Sequence, residues 1–171
     1  MAMTLLVAAG VGAQTMTVVP SVELDRYMGT WYEIARLPNR FQEQCAGEVS
    51  ATYSLLADGT VKVVNRCRKE NGEFAEAEGQ AKRADKDQPN TKLKVRFAPA
   101  FLSFLPFVWG DYWIIYLTPD YTCAVIGEPS REYLWVLSRT PTMAPNALQA
   151  ALASAKQQGY DLADLVMTKQ E

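Results

Sequence analysis

Short runs that alternate apolar and polar residues fill most of the chain after Trp31. No other feature restricts the fold as strongly, because a period of two belongs to strands and not to helices. In Thr91–Phe97, Leu93, Val95 and Phe97 fall on one face, and Lys92, Lys94 and Arg96 on the other. In Glu73–Ala81, Ala75, Ala77, Gly79 and Ala81 share a face opposite Glu76 and Glu78. Asp58-Gly59 separates two more runs, and that dipeptide adopts the positive φ angles of a tight hairpin at little cost. Three apolar runs between Asp111 and Pro141 are split by turn-forming residues at Thr118–Tyr121 and Glu128–Arg131. About eight consecutive strands joined by short turns predict an all-β chain, an eight-stranded antiparallel up-and-down barrel. The period then changes. Pro145 suits a helix start, Leu148, Ala151, Leu152 and Ala155 recur at helical spacing, and Gly159 suits its end. One C-terminal helix is expected outside the barrel, followed by a short strand near Asp164–Lys169 that returns to the sheet edge.

Composition removes whole classes of function. A chain of 171 residues with a net charge of −2 suits one domain and offers no basic field to nucleic acid. Histidine is absent, so there is no Ser-His-Asp triad, no Cys-His pair and no imidazole metal ligand. The cysteines Cys45, Cys67 and Cys123 show no CxxC spacing; neither a metal site nor a cofactor is expected. Residues 1–13 are short, apolar and end in small residues, which reads as a signal-peptide remnant cleaved before Gln14. Residues 14–171 then form a single domain. No cysteine stands at that junction to carry a lipid anchor. The expected location is the bacterial envelope, periplasmic or outer-membrane-associated.

A small barrel either fills its interior or holds one small ligand. The fourth strand offers only Ala and Gly inward, opposite Trp and Tyr, which favours a cavity over a filled core. Alternation also turns Glu33 inward after Trp31, where a carboxylate needs a partner. Either a bulge turns it out, or it pairs within the barrel, or it anchors a ligand head group.

Three segments resemble the signatures of the lipocalins: "GTWYEIARLPNRFQ" from Gly29, "TPDY" at Thr118–Tyr121, and "YLWVLSRTP" at Tyr133–Pro141. They occur in the order and at the distances of that family, and are most similar to its bacterial, plant temperature-induced and apolipoprotein D branches. The resemblance implies an eight-stranded calyx, closed at one end and open at the other. It assigns Gly29, Trp31, Thr118, Asp120, Tyr121 and Arg139 to structure, with Trp31 lying under Arg139. It implies a carrier of a small hydrophobic ligand, such as a fatty acid or lysophospholipid, and not an enzyme. Inward parity gives Ala35, Tyr53, Val63, Val95, Phe97, Trp113, Val125 and Trp135 as ligand-binding candidates; Tyr53 and Trp135 also match pocket aromatics of the family. Two rival readings stand beside this one. A lipocalin-type isomerase or epoxide enzyme could draw only on Cys123 or Glu33. A haem or bilin carrier would need Tyr or Cys as its ligand. The chain is expected to be a monomer or a homodimer.

Two further expectations follow. The Asp58-Gly59 hairpin returns Cys67 towards Cys45, and some bacterial members of the family carry a similar pair, so Cys45–Cys67 is the expected disulfide and Cys123 the free thiol. The alternative is three free thiols. The segment Ala98–Gly110 carries no charge but three Phe, two Pro and a Trp. It is too short and broken to span a membrane. It joins the fifth and sixth strands at the open end, where Phe101, Leu102, Phe104, Leu105, Phe107 and Trp109 are expected to touch a membrane surface or to fold inward as a lid.

Overall fold

The computed structural model describes residues 15–85, 87 and 89–170; the segment read as a signal-peptide remnant lies outside them. A short helix α1 (Leu24–Tyr27) leads into eight strands that each pair antiparallel with the next. They are β1 (Gly29–Arg36), β2 (Gly47–Leu55), β3 (Val61–Arg68), β4 (Phe74–Arg83), β5 (Lys92–Arg96), β6 (Gly110–Leu117), β7 (Cys123–Gly127) and β8 (Leu134–Ser138). Pairing of β8 with β1 and of β1 with β2 closes the barrel. Helix α2 (Pro145–Gln157) packs outside, and β9 (Val166–Met167) adds to β1 at Ala35 and Arg36.

Apolar side chains form two clusters separated by the sheet. The inner one contains Tyr27, Trp31, Tyr53, Val61, Val63, Ala81, Ile114, Ala124, Ile126 and Leu137. The outer one lies under α2 and contains Ile34, Ala35, Ile115, Cys123, Val125, Leu134, Val136, Ala151 and Ala155. Ala35, Val125 and Trp113, expected to point inward, therefore belong on the helix side, Trp113 packing against the outer cluster. The reason is physical. Strands covered on both faces lose their alternation, and every residue of Cys123–Gly127 is buried. For Ala35 the cause is a register shift in β1 between Glu33 and Ala35, which reverses the parity after it.

Strand direction places α1, the turns at 56–60 and 118–122, and the described residues 84–85 and 89–91 at one end. The connections 37–46, 69–73, 97–109 and 128–133 lie at the other. The first end is latched shut. The Arg139 guanidinium carbon sits 4.0 Å from the Trp31 ring centroid. Arg139 also donates to the carbonyls of Arg26 at 2.7 Å, Thr30 at 3.1 Å and Tyr121 at 3.3 Å. Trp31 Nε1 donates to the Tyr27 carbonyl at 2.8 Å. Gly29 is required here: its φ is +94°, and a Cβ would lie 3.3 Å from Arg139 Nη1.

A disulfide joins Cys45, before β2, to Cys67 at the end of β3, 22 residues on. Cys123 is free and buried under the helix, and burial pushes its thiol up to about 11. Thiol titration of the unreduced protein should accordingly find none when native and one per chain when denatured. Reducing the Cys45–Cys67 bond should lower stability by roughly 3 kcal/mol, read from the urea midpoint with and without reductant.

Candidate functional site

The floor of the barrel is aromatic. Tyr112 Oη lies 2.8 Å from Tyr27 Oη and 2.9 Å from Tyr53 Oη. The Tyr27 ring lies 5.0 Å from Trp31. Burial raises all three phenols, Tyr53 to about 12, and Tyr27 and Tyr112 well above the usual value.

Above this floor the inner wall is open and, but for Asn65, apolar. Residues directly opposite in a sheet share a face. Ala51 pairs with Asn65 and Asn65 with Ala77, so all three point the way of the inner cluster. Ala77 is nevertheless exposed, and Ala51, Val95, Tyr112 and Trp135 are only partly buried. Inward side chains that keep accessible surface mean that the upper interior is not filled. Phe97, two residues beyond Val95, is 42% exposed. Its ring occupies the space a Cβ on Gly79 would need, which explains the glycine in that strand. Of the sequence-predicted lining, the inner face thus holds Tyr53, Val63, Val95 and Trp135, with Phe97 seated on Gly79; Ala35, Trp113 and Val125 are elsewhere.

One polar cluster stands at the open end. Glu33 does point inward, since it pairs with Leu137 of the inner cluster. The register shift that follows carries Arg36 opposite Trp135, so Arg36 reaches the same side. Arg36 Nη1 lies 2.8 Å from Glu33 Oε1, and the pair is nearly buried. Thr168 donates to the same carboxylate, and Gln42 Nε2 donates to its other oxygen at 2.6 Å. Gln42 Oε1 in turn accepts from Trp135 Nε1 and from Asn39 Nδ2, each at 2.8 Å. The loop after β1 is thereby tied to the wall of the interior. Arg36, Gln42, Thr168, Tyr27 and Tyr112 escaped the sequence reading. The one signal available was that a buried indole N–H and a buried carboxylate must each have partners.

Glu33 accepts bonds on both oxygens, and Cys123 lies on the far side of the sheet. These two candidates for chemistry do not meet in the interior. Among the described residues, no group of three or more Cys, Asp or Glu side chains gathers to hold a metal.

The apolar connection at 97–109 contains two single turns of 3₁₀ helix, Ala100–Leu102 and Pro106–Val108. Three residues per turn line up positions three apart. Phe101, Phe104 and Phe107 form the outward row, at 75%, 76% and 80% exposure. Leu102, Leu105 and Val108 form the half-buried row. The phenyl row does not fold into the barrel as a lid. Trp109 is not in that row either. Its ring centroid lies 4.0 Å from Lys82 Nζ and 5.2 Å from the Arg96 guanidinium carbon, and its Nε1 donates to the Ser103 carbonyl at 2.8 Å.

A family profile described as a Lipocalin-like domain matches residues 22–170. The chain belongs to the lipocalin family. This lipocalin is 46% identical over 156 residues to temperature-induced lipocalin-1 of Arabidopsis thaliana, covering 91% of this chain and 83% of that protein. It is 39% identical over 156 residues to outer membrane lipoprotein Blc of Escherichia coli (strain K12), with the same coverage of 91% and 83%. To apolipoprotein D of Rattus norvegicus it is 31% identical over 135 residues, 74% of this chain and 65% of that one. Among solved structures, apocrustacyanin C1 shares the fold with a TM-score of 0.68 at 17% identity, over 86% of this chain and 79% of that one. Insecticyanin from the tobacco hornworm does so with a TM-score of 0.66 at 20% identity, over 89% and 82%. Lipocalins generally bind small hydrophobic ligands, and the open apolar interior is where this chain offers such a site.

The closed end should carry stability. Trp31→Ala should cost about 3–5 kcal/mol in urea unfolding, because it empties a fully buried site and strands Arg139. The phenols give the pH dependence. Held protonated when folded, they stay neutral above 10.0 while an unfolded chain ionises there, so their stabilisation is whole below pH 10 and lost towards about 12. The Cys123 thiol, raised from 9.0 to about 11, acts with the same sign one unit lower, so the expected record is a urea midpoint that is flat to about pH 9, then falls, and falls more steeply above pH 10 in step with tyrosinate absorbance.

Proposed function

We propose that this lipocalin carries a single-chain lipid, a fatty acid or a lysophospholipid, in the upper interior of the calyx. The observation that carries the reading is the inward wall of Ala51, Ala77, Gly79, Val95 and Trp135. It is apolar but for Asn65 and still accessible above the tyrosine floor, and the inward Glu33 and Arg36 beside it are bound to each other. Such a wall offers an aliphatic chain burial worth about 0.8 kcal/mol per methylene and offers no group for acid–base catalysis. Trp135→Ala should weaken binding of palmitoyl lysophosphatidylcholine or palmitic acid at least about ten-fold while lowering the urea midpoint little. A fully stable Trp135→Ala protein with unchanged affinity for both lipids would remove this wall from the binding site.

The Phe101, Phe104 and Phe107 row supports a second element, docking on a bilayer. Three exposed phenyls beside the ligand entrance make an apolar patch without a charge between Phe97 and Gly110. Each inserted ring contributes roughly 1.5–3 kcal/mol, enough together for reversible attachment without a lipid anchor. A carrier docked this way exchanges its ligand directly with the membrane. The Cys45–Cys67 bond suits an oxidising compartment such as the bacterial envelope, and relatives named outer membrane lipoprotein support that location. Wild type should float with phosphatidylcholine vesicles, and Phe104→Ser/Phe107→Ser should remain in the soluble fraction. Equal flotation of the two proteins, or none of either, would rule the docking out.

A further inference from the structure

The three interior phenols leave a hydrogen-bond account that does not close. Tyr112 bonds to Tyr27 and to Tyr53, and the described residues supply no other partner for these hydroxyls. Each hydroxyl carries one proton. Three protons and two bonds leave one proton without an acceptor, whichever way the donors run. A buried donor left unmatched is costly, so this is a place that calls for an oxygen.

Position says which hydroxyl presents it. Tyr27 is 1% exposed and Tyr53 7% exposed, both packed into the floor. Tyr112 points inward too but is only partly buried, on the same interior surface as Val95 and Trp135. With both neighbours donating to it, Tyr112 is left to donate into the cavity, and such chained hydroxyls polarise one another into better donors. Burial keeps all three protonated, so the donor persists at neutral pH.

We infer that Tyr112 is the inner hydrogen-bond donor of the ligand site, and that the ligand is a lipid with an oxygen acceptor at its leading end: a fatty acid seated carboxyl-first. The inference rests on the lipid-carrier reading above and chooses between its two lipids. A lysophospholipid must keep its charged head at the mouth, so its leading end is a methyl group that accepts nothing. A fatty acid can shed its charge: inserted carboxyl-first in its protonated form, it brings its carbonyl oxygen to Tyr112 and leaves its methyl end among the apolar residues of the upper wall.

The orientation can be read on the unmodified protein. Stearic acids spin-labelled beside the carboxyl or at the methyl end are bound in turn, and broadening of the Tyr27, Tyr53 and Tyr112 ring signals is compared by NMR. The label beside the carboxyl should broaden them more; stronger broadening by the methyl-end label would overturn the inference. Tyr112→Phe should weaken palmitic acid binding about ten-fold and leave palmitoyl lysophosphatidylcholine unchanged. Loss for both lipids alike, or for neither, also overturns it. Tyr112→Phe strips partners from two buried hydroxyls, so Tyr27→Phe serves as a second variant. It disturbs the same network but keeps the Tyr112 hydroxyl and its Tyr53 partner, and should hold palmitic acid affinity within about three-fold of wild type. If neither lipid binds the unmodified protein, the carrier reading itself has failed; if both bind but palmitic acid sits methyl-end inward, only the orientation has.

Discussion

Closure of the sheet at β1 is the constraint on which the rest of the molecule depends. This strand pairs with β2 over Gly29–Tyr32, with β8 along most of its length, and with β9 at Ala35 and Arg36. A barrel leaves no free edge only if one strand accepts neighbours on both sides, and here the two neighbours diverge towards the open end. The gap between β1 and β2 is filled by the C-terminal segment, where Gln170 Nε2 donates at 2.7 Å to the carbonyls of both Glu33 and Val49. The register shift after Glu33 belongs to the same solution. It sends Ile34 and Ala35 to the helix side while Glu33 and Arg36 stay inward. A carboxylate that would be ruinous alone in an apolar barrel is thereby given its cation three residues on.

The two ends of the barrel divide the work. At the closed end every polar atom of Arg139 is spent on carbonyls and an indole face, and the tyrosines fill the space above Trp31. Rigid packing there costs nothing in access, because no ligand enters from that side. At the open end the inner wall thins to alanine and glycine on β4, and large side chains retreat to the rim. Gln42 joins the halves. It holds the loop after β1 against both Glu33 and Trp135, so the mouth is shaped by hydrogen bonds and not by bulk.

The connection between β5 and β6 shows how little structure is needed to aim apolar groups at solvent. Two turns of 3₁₀ helix put Phe101, Phe104 and Phe107 in line, while the aliphatic residue after each phenylalanine anchors the loop underneath. Trp109, in contact with Lys82 and Arg96, fixes its base to β4 and β5.

The strand pattern, the Asp58-Gly59 hairpin, the helix from Pro145 and the family signatures were all legible in the sequence, because each is set by local periodicity or by a few residues with special backbone demands. So was the pairing of Cys45 with Cys67, since a hairpin brings a chain back on itself. Which residues face the interior was legible only where one face is polar: β2, β3 and β5 keep their alternation, and Tyr53, Val63 and Val95 point where that pattern puts them. Under α2 it failed. Cys123–Gly127 is apolar throughout, and Val125 could be assigned to the helix side only once the helix was in place. The register shift in β1, the reach of Gln42 to Trp135 and the meeting of Tyr27, Tyr53 and Tyr112 were decided by tertiary structure alone. Each joins residues far apart in the chain, and such contacts exist only after the barrel has closed.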